Sequence, residues 1–228
     1  MRITNNYLMP GQVRRLDALG LLSHIRVEGA TFTLEHRDGY QRLYFSSEGE
    51  IPDLPDLSHI LTTYLTFREA VDSAAESWLY RQGFKLAHSL IRMSAQQQPL
   101  RRVIGEAVRA EESEALKLFA SAFEPIEIDL PKSGHGLMES LFAVRDSSGA
   151  PMGVLYADGK TLAALAVEPE ARGQGIAQSL IAAYVSGAES LPGDYRVWVV
   201  DSNSPAIRLY SRVGFAPDGL RSNLYVLR

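Results

Sequence analysis

Residues 161–185, TLAALAVEPEARGQGIAQSLIAAYV, join a strand-like apolar run to a helical one through a turn with two glycines one residue apart. Glycine destabilises regular structure, so Gly173 and Gly175 signal a special backbone conformation or a close approach. A strand that turns this way into a helix leaves unpaired N–H groups at the helix N-terminus, where the helix dipole favours an anion. Successive glycines let phosphate oxygens reach the main chain. Arg172 adds a forked, permanently charged donor. By itself the turn reads either as a cradle for phosphate or pyrophosphate, or as a tight turn closed by glycine.

Val13, Leu16, Leu19, Leu22 and Ile25 follow near-helical spacing, with Gly20 dividing the run into two helical pieces. Residues 31–47 read as a hairpin around Asp38-Gly39. Residues 48–57 read as a loop, 60–67 as a strand, 69–82 as a helix stopped at Gly83-Phe84, and 85–93 as a closing strand. The polar stretch 94-SAQQQPL-100 is the best linker. Beyond it, 109–123 has a helical apolar face, and strands are expected at 140–145, 151–157, 161–167, 195–200 and 223–228. Ser204 with Pro205 opens a last helix that Gly214 stops. The order implies α/β architecture with a mixed sheet. The expected domains are 1–97 and 101–228. Laid 131 residues apart, 78-WLYRQGF-84 and 209-LYSRVGF-215 share Arg, Gly and Phe. The N-terminal half therefore reads either as a degenerate copy of the C-terminal domain or as an unrelated α+β cap or dimerisation element.

Two phosphate motifs do not fit the turn. A dinucleotide fingerprint needs a third glycine where Gln178 stands, and no Gly-Lys-Ser/Thr is present. What remains is Arg172-Gly173-Gln174-Gly175-Ile176-Ala177, followed later by 197-VWVVDSNSPAIRLYSRVGF-215. The first resembles motif A of the Gcn5-related N-acetyltransferases, the GNAT superfamily, with its pattern Gln/Arg-x-x-Gly-x-Gly/Ala. The second resembles motif B through Asn203, Ala206, Leu209, Tyr210, Gly214 and Phe215. The resemblance covers about residues 101–228. It implies a GNAT fold: a mixed, mostly antiparallel sheet flanked by helices, here with a smaller N-terminal α/β domain.

The resemblance implies roles residue by residue. Leu165, Ala166 and Val167 would pair through their backbone with the pantetheine of acetyl-CoA. The amides of Gln174, Gly175, Ile176 and Ala177 would hold the pyrophosphate, with Arg172 and Gly173 shaping the turn. Asn203 would contact the cofactor arm, and Tyr210 would be the general acid. The last role suits the chemistry, because a phenol of pKa about 10 can protonate or stabilise a thiolate whose thiol lies near 8.5. As a core aromatic on an amphipathic helix, Tyr210 also has a purely structural reading. Where N-terminal acetylating relatives carry a basic Glu, this chain has Trp198. Glu168, Glu139 and His135 are the other base candidates, and none is singled out. His24, His36, His59 and His88 have no metal-ligand spacing, so no metal is expected.

The chain has 228 residues, no cysteine and a net charge of -4. Lack of cysteine excludes disulfides, thiolate metal sites and an acyl-cysteine intermediate. The charge argues against a general nucleic-acid binder or a polybasic membrane anchor. With no leader-like start and no long apolar run, a cytoplasmic protein is expected. The expected function is acyl-CoA-dependent N-acyl transfer to a small-molecule or protein amine, with a homodimer as an open arrangement. The alternatives are a catalytically silent acyl-CoA sensor and a nucleotide or phosphosugar binder using the glycine turn alone.

Overall fold

The computed structural model describes residues 2–5, 7–55, 57, 59–96, 107–124, 130–135, 138, 140–188 and 193–228. Its elements, in chain order, begin with β1 (Ile3–Thr4), α1 (Pro10–Ala18), β2 (Leu22–Val27), β3 (Ala30–His36), β4 (Gln41–Ser47), β5 (Leu61–Phe67), α2 (Ser73–Arg81) and β6 (Lys85–Ala95). They continue with β7 (Ala107–Arg109), α3 (Glu112–Ala122), β8 (Ser140–Arg145), β9 (Pro151–Asp158), β10 (Thr161–Val167), α4 (Ile176–Gly187), β11 (Tyr195–Val200), α5 (Ser204–Arg212) and β12 (Ala216–Leu227).

The chain forms two compact units, residues 1–91 with 219–228, and residues 92–218. These units divide inside β6 and β12, whereas the sequence suggested a boundary between 97 and 101. Of the expected linker, Ser94 and Ala95 continue β6, and residues 97–100 lie outside the described residues. A strand's period marks its buried face but not the edge it will join, so the sequence could not assign the final strand to the first unit.

In the first unit β2, β3 and β4 form an antiparallel meander around the expected Asp38-Gly39 turn. One face buries Phe32, Leu34, Leu43, Phe45, Leu61 and Leu65 against Trp78 and Leu79 of α2. Trp78 stacks on Phe32 at 5.9 Å and satisfies its indole N–H on the Pro52 carbonyl at 3.0 Å. The end of β12 pairs antiparallel with β5, from Arg221↔Phe67 to Leu227↔Leu61. The expected second helical piece after Gly20 is strand instead. Gly20 takes φ 67, and Leu22 and Ile25 pair with Glu35 and Phe32 of β3. Strand pairing outweighs a helical spacing that only two residues carried.

In the second unit the strands run in the order β11, β10, β9, β8, β7, with β6 beside β11. The pairs β7–β8, β8–β9 and β9–β10 are antiparallel, and β10–β11 is parallel. One face of this sheet buries Ala143, Val154, Tyr156, Ala164 and Ala166 under Ala115, Leu118 and Phe119 of α3. The other face carries α4. The helix expected from 109 begins at Glu112, because Arg109 is taken by β7 pairing with Phe142.

The 131-residue echo has a structural counterpart inside each unit. Helices α2 and α5 each have 9 residues, capped by Asp72 and Asn203. Phe84 N–H donates to the Leu79 carbonyl as Phe215 N–H does to that of Tyr210, both at 3.0 Å. The parallel pair β4–β5 also meets at only two positions, Gln41↔Leu61 and Arg42↔Thr62. Where the second unit continues into the glycine turn and α4, the described residues of 48–60 contain no helix.

Candidate acyl-donor site

The site begins with a break in the sheet. Parallel β10 and β11 pair only at Thr161↔Arg196 and Leu162↔Val197. Beyond that point β10 stays paired to β9 as far as Val167↔Gly153. Among the described residues its edge toward β11 therefore has no ladder partner from Ala163 onward, and an extended ligand can complete it as an added strand would. Leu165 and Val167 are half-buried along this edge, and Ala166 is buried toward α3.

At the end of β10 the chain makes a 3-10 turn over Pro169–Ala171, and Arg172 leaves it extended. Arg172 Nε donates back to the Val167 carbonyl at 3.3 Å, and Gln174 Nε2 to the Glu170 carbonyl at 3.1 Å. These side chains tie the turn to its own strand. Gly173 and Gly175 have φ of 79 and 83, the left-handed region that favours glycine. Gly175 is the N-cap of α4 and offers no side-chain acceptor. Among the described residues, no carbonyl accepts a hydrogen bond from the amides of Gly173 through Gln178; the first such bond is Ser179 N–H to Gly175 O at 3.1 Å. The turn thus presents a run of unclaimed donors at the positive end of a 12-residue helix.

Gly153, which sequence reasoning did not single out, holds that helix end in place. A Cβ at this position would lie 2.7 Å from Ile176 Cγ2, 3.1 Å from the Ala166 carbonyl oxygen and 3.2 Å from Leu180 Cδ1. The first turn of α4 therefore rests directly on the backbone of β9. A glycine in a run of Met, Val and Leu carries no sequence signal of what packs on it; only the tertiary contact reveals its role.

Asn203 and Tyr210 sit on α5, which follows β11, the other wall of the opening. Asn203 rather than Ser204 caps this helix: its Oδ1 accepts from Ala206 N–H at 3.1 Å, and Pro205 stands within the first turn. The residue is exposed, and its Nδ2 group has no hydrogen bond among the described residues. Tyr210 is buried, with its ring 5.9 Å from that of Phe215 in an edge-on arrangement. Burial alone pushes its phenol above the ordinary tyrosine value, with no charged neighbour contributing. The hydroxyl therefore stays protonated across the neutral range.

Among the described residues, neither Glu168 nor His135 makes a hydrogen bond to Tyr210. Glu168 is half-buried, and its N–H donates to the Met152 carbonyl at 2.9 Å. The His135 ring lies 2.9 Å from the carbonyl of nearby Ser133. Glu139 lies outside the described residues. Trp198 is on β11, one residue past the last β10–β11 pair. Among the described residues no group of three or more His, Cys, Asp or Glu could hold a metal ion. No described helix is long and apolar enough to cross a membrane.

Comparisons with known proteins bear on the fold and on the family of the second half of the chain. A search among curated proteins gives no match. Among solved structures, a GCN5-related N-acetyltransferase from Kribbella flavida aligns with TM-score 0.58 at 16% identity, covering 97% of this chain and 96% of that one. One from Sphaerobacter thermophilus aligns with TM-score 0.57 at 15% identity, over 87% and 76%. A tandem GNAT protein from the clavulanic acid biosynthesis pathway aligns with TM-score 0.55 at 12% identity, over 87% and 78%. At such identities the likeness establishes the fold. The family model for the acetyltransferase (GNAT) domain matches residues 139–217, which include the β10 edge, the glycine turn, Asn203 and Tyr210. The chain therefore carries a GNAT acetyltransferase domain over residues 139–217.

Proposed function

We propose that the protein is an acyl-CoA-dependent N-acyltransferase, in the simplest case moving an acetyl group from acetyl-CoA to a primary amine. The observation that carries this reading is the run of amides from Gly173 to Gln178 without carbonyl partners, at the end of a strand whose inner edge is also open. A diphosphate meets the first feature and an amide-bearing pantetheine the second; a plain tight turn needs neither. Arg172 and Gly173 shape the cradle, the amides of Gln174 to Ala177 hold the diphosphate, and the backbone of Leu165 to Val167 takes the pantetheine. Asn203 offers Nδ2 to the same arm.

In the proposed reaction the amine nitrogen attacks the thioester carbonyl in a ternary complex. The C–N bond forms, the C–S bond breaks, and the departing sulfur takes the Tyr210 proton. The amine's own proton leaves to solvent. The phenol is protonated at neutral pH and so has a proton to give, and general acid catalysis of this kind is worth roughly 10²- to 10⁴-fold.

Calorimetric titration with acetyl-CoA tests the cradle, and an amine panel with thiol-release detection tests the transfer. Saturable binding with turnover of at least one amine is expected. Absence of binding refutes the donor assignment. Binding without turnover of any amine favours an acyl-CoA sensor.

A further inference from the structure

Arg92 lies on β6, the neighbour of β11. Its Nε donates to Asp218 Oδ2 at 2.6 Å, and its guanidinium carbon stands 5.9 Å from the centroid of the Trp198 ring. The two side chains of the ion pair are only 20% and 18% exposed. Among the described residues the two terminal nitrogens of Arg92 make no hydrogen bond. A guanidinium gripped through Nε by a carboxylate and steadied by an indole face is pre-organised, and its remaining edge is a fork of N–H donors.

The sheet geometry says where this fork stands. Val197 pairs with Leu162, and Tyr195, two residues before it, packs edge-on against Tyr184 of α4 at 5.7 Å. By strand alternation Trp198 projects to the opposite face, the one that α3 covers. Trp198 is also the first residue beyond the last β10–β11 pair, at the mouth of the opening. The cluster thus lies on the α3 face, about 5 Å, one strand spacing, from the strand that borders the acyl-donor edge.

We propose that Arg92 is a substrate-binding residue that selects acceptors carrying a carboxylate in addition to the reacting amine. This rests on the proposed acyl transfer and deepens it by naming the acceptor class. The two terminal nitrogens of Arg92 take the carboxylate oxygens side by side, a geometry that a lysine ammonium cannot copy. Asp218 and Trp198 act as positioning residues. Asp218 holds the fork in register, and Trp198 excludes water from one side of it.

The test uses the full chain and matched pairs of amines, each amino acid set against its own carboxamide. The wild type should turn over the carboxylate member with at least tenfold higher kcat/KM. Arg92→Gln should remove that preference chiefly by raising KM for the carboxylate member, with acetyl-CoA affinity retained. Arg92→Lys, which keeps charge but not the fork, should fall between the two. Thermal melting of each variant checks that it is folded, and Asp218→Asn supplies a milder version of the same loss. Equal preference for acid and amide in the wild type, or an undiminished preference in folded Arg92→Gln, overturns the assignment. Acetyl-CoA binding in those same samples shows whether the proposed function survives without it. If no amine turns over, calorimetry of each pair in the presence of CoA decides: equal affinity for acid and amide also overturns it.

Discussion

The seat of α4 on Gly153 makes a quantitative prediction. Gly153→Ala places a methyl group 2.7 Å from Ile176 Cγ2, where ordinary carbon contacts are about 3.5–4.0 Å. Gly153 is not among the positive-φ glycines, so alanine meets no backbone penalty there and the whole effect is steric. Ile176 and Leu180 must retreat by roughly 1 Å, or Ile176 must leave its rotamer, and overpacking of this kind costs about 1–3 kcal/mol. For a chain of this size each kcal/mol lowers Tm by roughly 2–4 °C. Ile176 is the first residue of α4, so the same movement tilts the unpaired amides beside it. Acetyl-CoA affinity should fall about tenfold, measured by calorimetry beside a thermal melt. Ile176→Ala removes the clashing methyl, so the double variant should recover affinity relative to Gly153→Ala, and the four-protein cycle should show coupling. Wild-type Tm and affinity in Gly153→Ala would refute the claim that this glycine positions the cradle.

Further outcomes follow from the same geometry. Gly175→Val should abolish acetyl-CoA binding in calorimetry, because a β-branched residue at φ 83 is strained and its side chain intrudes on the cradle. Tyr210→Phe should keep acetyl-CoA affinity and lower turnover at least tenfold; an unchanged rate removes the phenol from the mechanism. Because burial raises the Tyr210 pKa, the folded state keeps this proton where the unfolded chain has lost it. Tyr210's contribution to stability is therefore intact below the ordinary tyrosine value near 10 and declines as pH rises above it. No falling limb of the rate profile below about pH 10 should come from this group. Asn203→Ala should cost about 0.5–2 kcal/mol through the lost cap, seen as a lower Tm, whether or not acetyl-CoA is present.

The sequence by itself determined the local pieces of the site. Gly-x-Gly after an apolar run fixed a left-handed turn at the start of α4, because only glycine takes φ 79 and 83 readily. Ser204-Pro205 and Gly214 bounded α5 to within a residue, since caps and stops are short-range chemistry, although the cap itself is Asn203 and not the expected Ser204. Even the echo between 78–84 and 209–215 was legible, and matching helix ends accompany it. Tertiary structure decided what those pieces meet. The opening between β10 and β11 depends on register between strands far apart in the chain, and the closeness of Gly153 to Ile176 depends on a helix that packs back across the sheet. Neither leaves a periodic mark in the sequence. Arg92, Trp198 and Asp218 likewise read as three unrelated residues until β6, β11 and β12 bring them together. Hydrophobic period tells a strand which face to bury; its lateral neighbour is chosen by hydrogen bonds that every residue can make equally well, and so only the folded chain records that choice.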